Sequence, residues 1–138
     1  MFTTEIKQFN YIYRPMKSNS IFDSEHFLVE IKNGISIITI KIPRATFKEA
    51  DEFKELIQSI VFTKHKKIIV DFNGCLFVDS MIIGIMVNIV KTIRQKGGDI
   101  FVITPSSSIK VMFARAELYK IFKQFWTREE AIEGFSNQ

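Results

Sequence analysis

The chain has 138 residues, 46% hydrophobic and 25% charged, a balance that fits one globular domain with a core of its own. Its formal net charge of +4 comes from scattered cations, so no nucleic-acid face is legible, and the densest run, Lys64-His65-Lys66-Lys67, reads as a solvated loop. A single cysteine, Cys75, excludes an internal disulfide, and with two lone histidines, His26 and His65, it argues against a metal site.

No signal-peptide pattern opens the chain. The longest apolar run, Met81 to Val87, is broken by Gly84 and falls far short of a membrane span, so a cytoplasmic protein without membrane insertion is expected. The 14 phenylalanines announce an aromatic core or an aromatic interface.

Residues 1–25 read as an N-terminal extension, with a short strand near Gln8 to Tyr13 and a break at Pro15. Residues 26–138 are expected to form the domain. Phe27 to Lys32 and Ile35 to Ile42 flank Asn33-Gly34, which readily takes the positive φ values of a hairpin turn, so two antiparallel strands follow. Thr46 and Glu49 make a capping box. Behind it Phe47, Ala50, Phe53, Ile57 and Ile60 recur at helical steps to about Val61.

Lys67 to Phe72 is apolar enough to be a buried strand. Asn73-Gly74 turns the chain, Leu76-Phe77-Val78 restarts it briefly, and Asp79-Ser80 opens a helix to about Gln95 with Ile82, Ile83, Ile85, Met86, Ile89, Val90 and Ile93 on a broad apolar surface. Gly97-Gly98 ends that helix. Asp99 to Thr104 is another central strand, Ser106 to Ser108 offer caps for a helix to about Ala116, and Leu118 to Phe125 holds a short edge strand. Thr127 and Glu130 form a second capping box before a terminal helix to about Phe135. The predicted fold is α/β: a mixed, mostly parallel sheet of about four to five strands packed by about four helices.

Sites on such sheets gather at the carboxyl ends of strands, which is where Asp79-Ser80 falls. The simplest role is structural, with either residue capping the helix. A nucleophilic serine needs a base, and the hydrolase elbow Gly-x-Ser-x-Gly is absent, since Ser80 is flanked by Val78-Asp79 and Met81-Ile82. Asp71 as an aspartyl phospho-acceptor lacks an acidic metal-holding group at the end of an early strand. Phosphorylation of Ser80 is permitted physically, because a helix N-terminus tolerates an anion while a partner's apolar surface does not.

Phe77-Val78-Asp79-Ser80-Met81-Ile82-Ile83-Gly84, the helix that follows, Gly97-Gly98, Ile100 to Ile103, the serine-rich turn and Glu129-Glu130-Ala131-Ile132 together resemble a STAS domain, the sulphate-transporter and anti-sigma-factor-antagonist module. The resemblance covers His26 to Phe135. It implies a stand-alone anti-sigma factor antagonist, not an enzyme and without cofactor or metal, that binds an anti-sigma factor serine kinase and is phosphorylated on Ser80. A phosphatase would reset it.

By the same resemblance Asp79, Ser80, Met81, Ile82, Asn73, Gly74, Arg44 and Thr46 form the partner-binding surface. The family usually reads Asp-Ser-Ser-Gly-Leu-Gly, so Met81 and Ile82 replace two small residues. Its Gly-Arg-Leu-Asp aligns with Pro43-Arg44-Ala45-Thr46, which loses the carboxylate. The departures leave two outcomes: a divergent partner, or binding without phosphorylation as a constitutive scaffold or subunit of the lipid-transport, transporter-associated or stressosome kind. Two readings of Met81-Ile82 stand side by side: its exposed part is an apolar anchor for a partner, or the pair is partly tucked under the N-terminal extension. Self-association into a homodimer is left open.

Overall fold

Near-continuous runs of β-branched residues put Ile35–Ile40 and Lys67–Asp71 at the centre of the molecule, buried on both faces, and the remaining elements are added around them. The computed structural model describes residues 20–63 and 65–137, so the strand expected near Gln8 to Tyr13 lies outside the described residues. The strands are β1 (Ser20–Asp23), β2 (Phe27–Lys32), β3 (Ile35–Ile40), β4 (Arg44–Ala45), β5 (Lys67–Asp71), β6 (Phe77–Val78), β7 (Asp99–Ile103) and β8 (Lys123–Phe125). The helices are α1 (Phe47–Phe62), α2 (Ser80–Gln95), α3 (Ser107–Arg115) and α4 (Arg128–Ser136).

The main sheet has six strands in the order β1-β2-β3-β5-β7-β8, and β4 and β6 form a separate two-stranded pair. β1, β2 and β3 run antiparallel, while β3, β5, β7 and β8 are parallel. The fold is thus the expected mixed α/β sheet, with one more strand than foreseen. The addition is β1, which lies inside the stretch read as extension and pairs Phe22 with Val29. Asn33 and Gly34 take φ values of 54° and 75°, the turn geometry their identities call for.

Helices α1, α2 and α3 cover one face of the sheet, around Phe53, Ile57, Val70, Met86 and Phe113. On the other face α4 packs Ala131, Ile132 and Phe135 onto Ile37, Ile69 and Phe101, with the Phe101 and Phe135 rings stacked at 3.8 Å. The aromatic residues therefore build both halves of the core. One expectation fails here: Phe47, counted in the buried stripe of α1, is 66% exposed, because it is the first residue of the helix and Leu56 fills the inner face instead.

Candidate functional site

At the carboxyl end of β5 the chain must leave the sheet and start α2, and it does so through a chain of short bonds. Asp71 Oδ1 accepts from Asn73 N at 2.9 Å, closing a turn at Asn73-Gly74. The Pro43 carbonyl then accepts from Leu76 N at 2.8 Å and Phe77 N at 3.1 Å, and β6 pairs in parallel with β4, Arg44 opposite Phe77 and Ala45 opposite Val78. Cys75 is buried beneath this crossing. Burial pushes its thiol up from the usual range, so it acts as packing.

That pairing brings the starts of α1 and α2 side by side, and Asp79 joins them. Its Oδ1 accepts from Met81 N at 3.1 Å and Ile82 N at 3.2 Å, which makes it the N-cap of α2. Its Oδ2 accepts from Phe47 N, the first amide of α1, at 2.8 Å. One carboxylate therefore faces the positive ends of two helix dipoles. On α1 itself Thr46 is the cap, and Glu49 Oε1 accepts from Thr46 N at 2.9 Å, the capping box read from the sequence.

Capping by Asp79 decides the state of Ser80. Ser80 is the first residue of α2, exposed, and its hydroxyl makes no hydrogen bond among the described residues. The alternative of Ser80 as the cap is excluded by this geometry. Met81 is 53% exposed beside it. Ile82 is fully buried, so its side chain belongs to the core with Met86, Val90 and Ile93 and cannot anchor a partner. The four-residue steps from 82 to 86 to 90 carried that information in the sequence.

Arg44 and Thr46 arrive through β4, and the Arg44 guanidinium lies 4.3 Å from the centre of the Phe77 ring. Asn73 and Gly74 are exposed on the preceding turn, next to α3, where Ser106 Oγ approaches the Cys75 carbonyl at 3.5 Å. Arg44, Thr46, Asp79, Ser80 and Met81 thus lie around the paired starts of α1 and α2, with Asn73 and Gly74 on the turn that precedes β6. Residues the sequence did not point to extend it: Phe47, Leu76 at 54% exposure, Val111 at 48% and Trp126, whose indole is covered by the Lys110 ammonium. Leu76 and Phe77 form one wall, and Val111, Met112 and Arg115 the other, of an open groove of about 510 Å³.

Neither histidine is bonded to Ser80. His26 Nδ1 pairs with Glu52 at 2.8 Å, which raises the His26 pKa above 6.5 against the lowering effect of burial, while His65 Nδ1 meets Ser36 Oγ at 2.8 Å at the opposite end of the sheet. Asp71, considered as a phospho-acceptor, is 4% exposed and faces Arg128 at 3.4 Å. Among the described residues no group of three His, Cys, Asp or Glu is arranged to hold a metal, and no helix is long and apolar enough to cross a membrane.

The family model described as the STAS domain matches residues 26–131. The chain belongs to the STAS domain family. Among solved structures this STAS domain is similar to a candidate anti-sigma factor antagonist from Thermotoga maritima, with 24% identity, 78% of this chain and 92% of that chain covered, and a TM-score of 0.73. It is similar to the Bacillus cell fate determinant SpoIIAA in its phosphorylated form, at 20% identity, coverages of 79% and 98%, and a TM-score of 0.62. It also matches the murine anion transporter Slc26a9 at 15% identity and a TM-score of 0.61, covering 99% of this chain but 24% of that one. No curated protein matches the chain by sequence. At these identities the solved structures establish the STAS fold.

Proposed function

We propose that this STAS domain is an anti-sigma factor antagonist that binds an anti-sigma factor serine kinase through the surface around Ser80. The observation that carries the reading is the unengaged, exposed Ser80 hydroxyl, left available because Asp79 takes the capping bonds. Exposed Phe47, Leu76, Met81 and Val111 supply apolar contact area of the kind a protein partner covers. The likeness to antagonists solved in both phosphorylated and unphosphorylated forms supports it.

In the proposed switch the partner kinase transfers the γ-phosphoryl of ATP to Ser80 Oγ. ADP leaves, and the hydroxyl proton passes to a base of the kinase. The phosphate adds about −1.5 to −2 charges. The start of α2 accommodates an anion, so the fold survives. Beside the Asp79 carboxylate and inside an apolar contact, the same charge repels the partner, and a phosphatase restores binding.

Met81 favours a second reading. A large apolar side chain, 53% exposed, next to the serine suits a constitutive contact, as in a scaffold or transporter-associated subunit, with no phosphorylation. Intact-mass measurement after incubation with a cognate kinase separates the two. The switch predicts one phosphate that disappears in Ser80→Ala, and Ser80→Asp weakens the partner by more than about tenfold without changing thermal stability. Equal partner affinity for native protein and Ser80→Asp would discard the switch and leave the scaffold.

A further inference from the structure

Folding gathers cations that look scattered in the sequence. Strand register sets Lys32 opposite Ile35, and Lys67 opposite Asp99. Asp99 N donates to the Lys66 carbonyl at 2.9 Å, and Lys66 and Lys96 line one cleft. Lys32, Lys66, Lys67 and Lys96 thus share the amino-end pole of the parallel strands, opposite the Ser80 surface. All four are exposed, and none is ion-paired among the described residues. Asp99, the acid on these segments, is held by Arg94 at 3.0 Å.

The C-termini of α1 and α2 also end at this pole. With α3, which also returns the chain to this pole between the parallel strands β7 and β8, they contribute about one and a half negative charge equivalents, less than four lysines. The cleft between the helices has a volume of about 200 Å³, with Val61 and Ile93 as its apolar floor and His65, Lys66 and Lys96 at its rim. Phe62 stands in it 49% exposed.

We infer that this pole docks on an anionic phospholipid surface, the lysines meeting headgroup phosphates and Phe62 entering the boundary between headgroups and acyl chains. An aromatic ring among lysines matches that boundary, where amphipathic groups are anchored by apolar burial and held by charge. Duplex nucleic acid asks instead for a helix or ribbon that enters a groove, and here both helices end bluntly. The inference is independent of the reading of Ser80.

Co-sedimentation of the full chain with phosphatidylcholine vesicles, with and without phosphatidylglycerol, tests it. The protein is expected to sediment with the phosphatidylglycerol vesicles at low salt, to leave them as salt is raised, and to ignore pure phosphatidylcholine. Each lysine at such a surface contributes about fivefold, so Lys66→Gln/Lys96→Gln lowers partition by about 25-fold. Phe62→Ser lowers it several-fold at every salt concentration. Lys48→Gln/Lys54→Gln, on exposed positions of α1, retains native binding. Thermal melts confirm that each variant is folded. No sedimentation at low salt, an equal loss in the α1 pair, or binding to duplex DNA as strong as to vesicles and insensitive to Phe62→Ser would each overturn the inference.

Discussion

Replacing Asp79 by alanine tests whether one carboxylate holds the two helix starts together. The substitution removes the N-cap bonds to Met81 N and Ile82 N and the bond to Phe47 N. An N-cap is worth about 1 kcal/mol. The bond across to α1 adds about another 1 kcal/mol, since its amide is exposed and water replaces part of it. The expected loss is therefore about 2 kcal/mol, or about 8 °C in Tm for a domain of this size. Asp79→Asn keeps an acceptor for the cap but loses the charge facing two dipoles, so about 1 kcal/mol is expected. Ser80→Ala, which removes an unengaged exposed hydroxyl, should stay within about 0.5 kcal/mol of native. Urea denaturation with a common slope measures all three. An Asp79→Ala protein as stable as native, or a Ser80→Ala protein as damaged as Asp79→Ala, refutes this division of labour.

Three further outcomes are expected. The His26 pKa is raised by Glu52, so the pair stabilises the fold fully below the unfolded value of about 6.5 and loses that contribution as pH rises through the higher folded value; native protein should lose stability over that window while His26→Gln varies less, as read from denaturation midpoints against pH. Arg128→Met leaves Glu30 and Asp71 facing each other without the guanidinium that now meets them at 2.8 and 3.4 Å, at a cost of about 2–3 kcal/mol in chemical denaturation. Gly98→Ala drives a Cβ into the Lys66 carbonyl and the Ile93 side chain and should cost about 1–3 kcal/mol, whereas Gly84→Ala, with open space around it inside α2, should gain up to about 1 kcal/mol; calorimetric melts distinguish the signs.

Elements whose chemistry is local were legible from the chain itself. Asn33-Gly34 sets its turn by its own φ preferences, and both capping boxes, at Thr46 and Thr127, close within four residues. Elements made by distant partners were not. β4 has two residues and exists because Phe77 and Val78 pair with it, and β1 is four residues long with a register shift that blurs any alternation. At the site, Asp79 and Ser80 are both capping residue types, so only the bonds to Met81 N and Ile82 N assign the cap to Asp79. The apolar surface around it draws on Phe47, Leu76, Val111 and Trp126, whose exposure no local pattern in the sequence announces.

The parallel strands separate the two ends of the molecule by more than the reach of their charges. β5 alone, from Lys67 to Asp71, spans about 13 Å at the usual rise per residue. That already exceeds the Debye length of about 8 Å at physiological ionic strength, and Ser80 and the lysines lie beyond its two ends. A phosphate added at Ser80 is therefore screened to a small fraction of its field at Lys66 and Lys96. If both proposals hold, phosphorylation at one end and a charged surface at the other act as two separate inputs, and Ser80→Asp should leave vesicle partition unchanged.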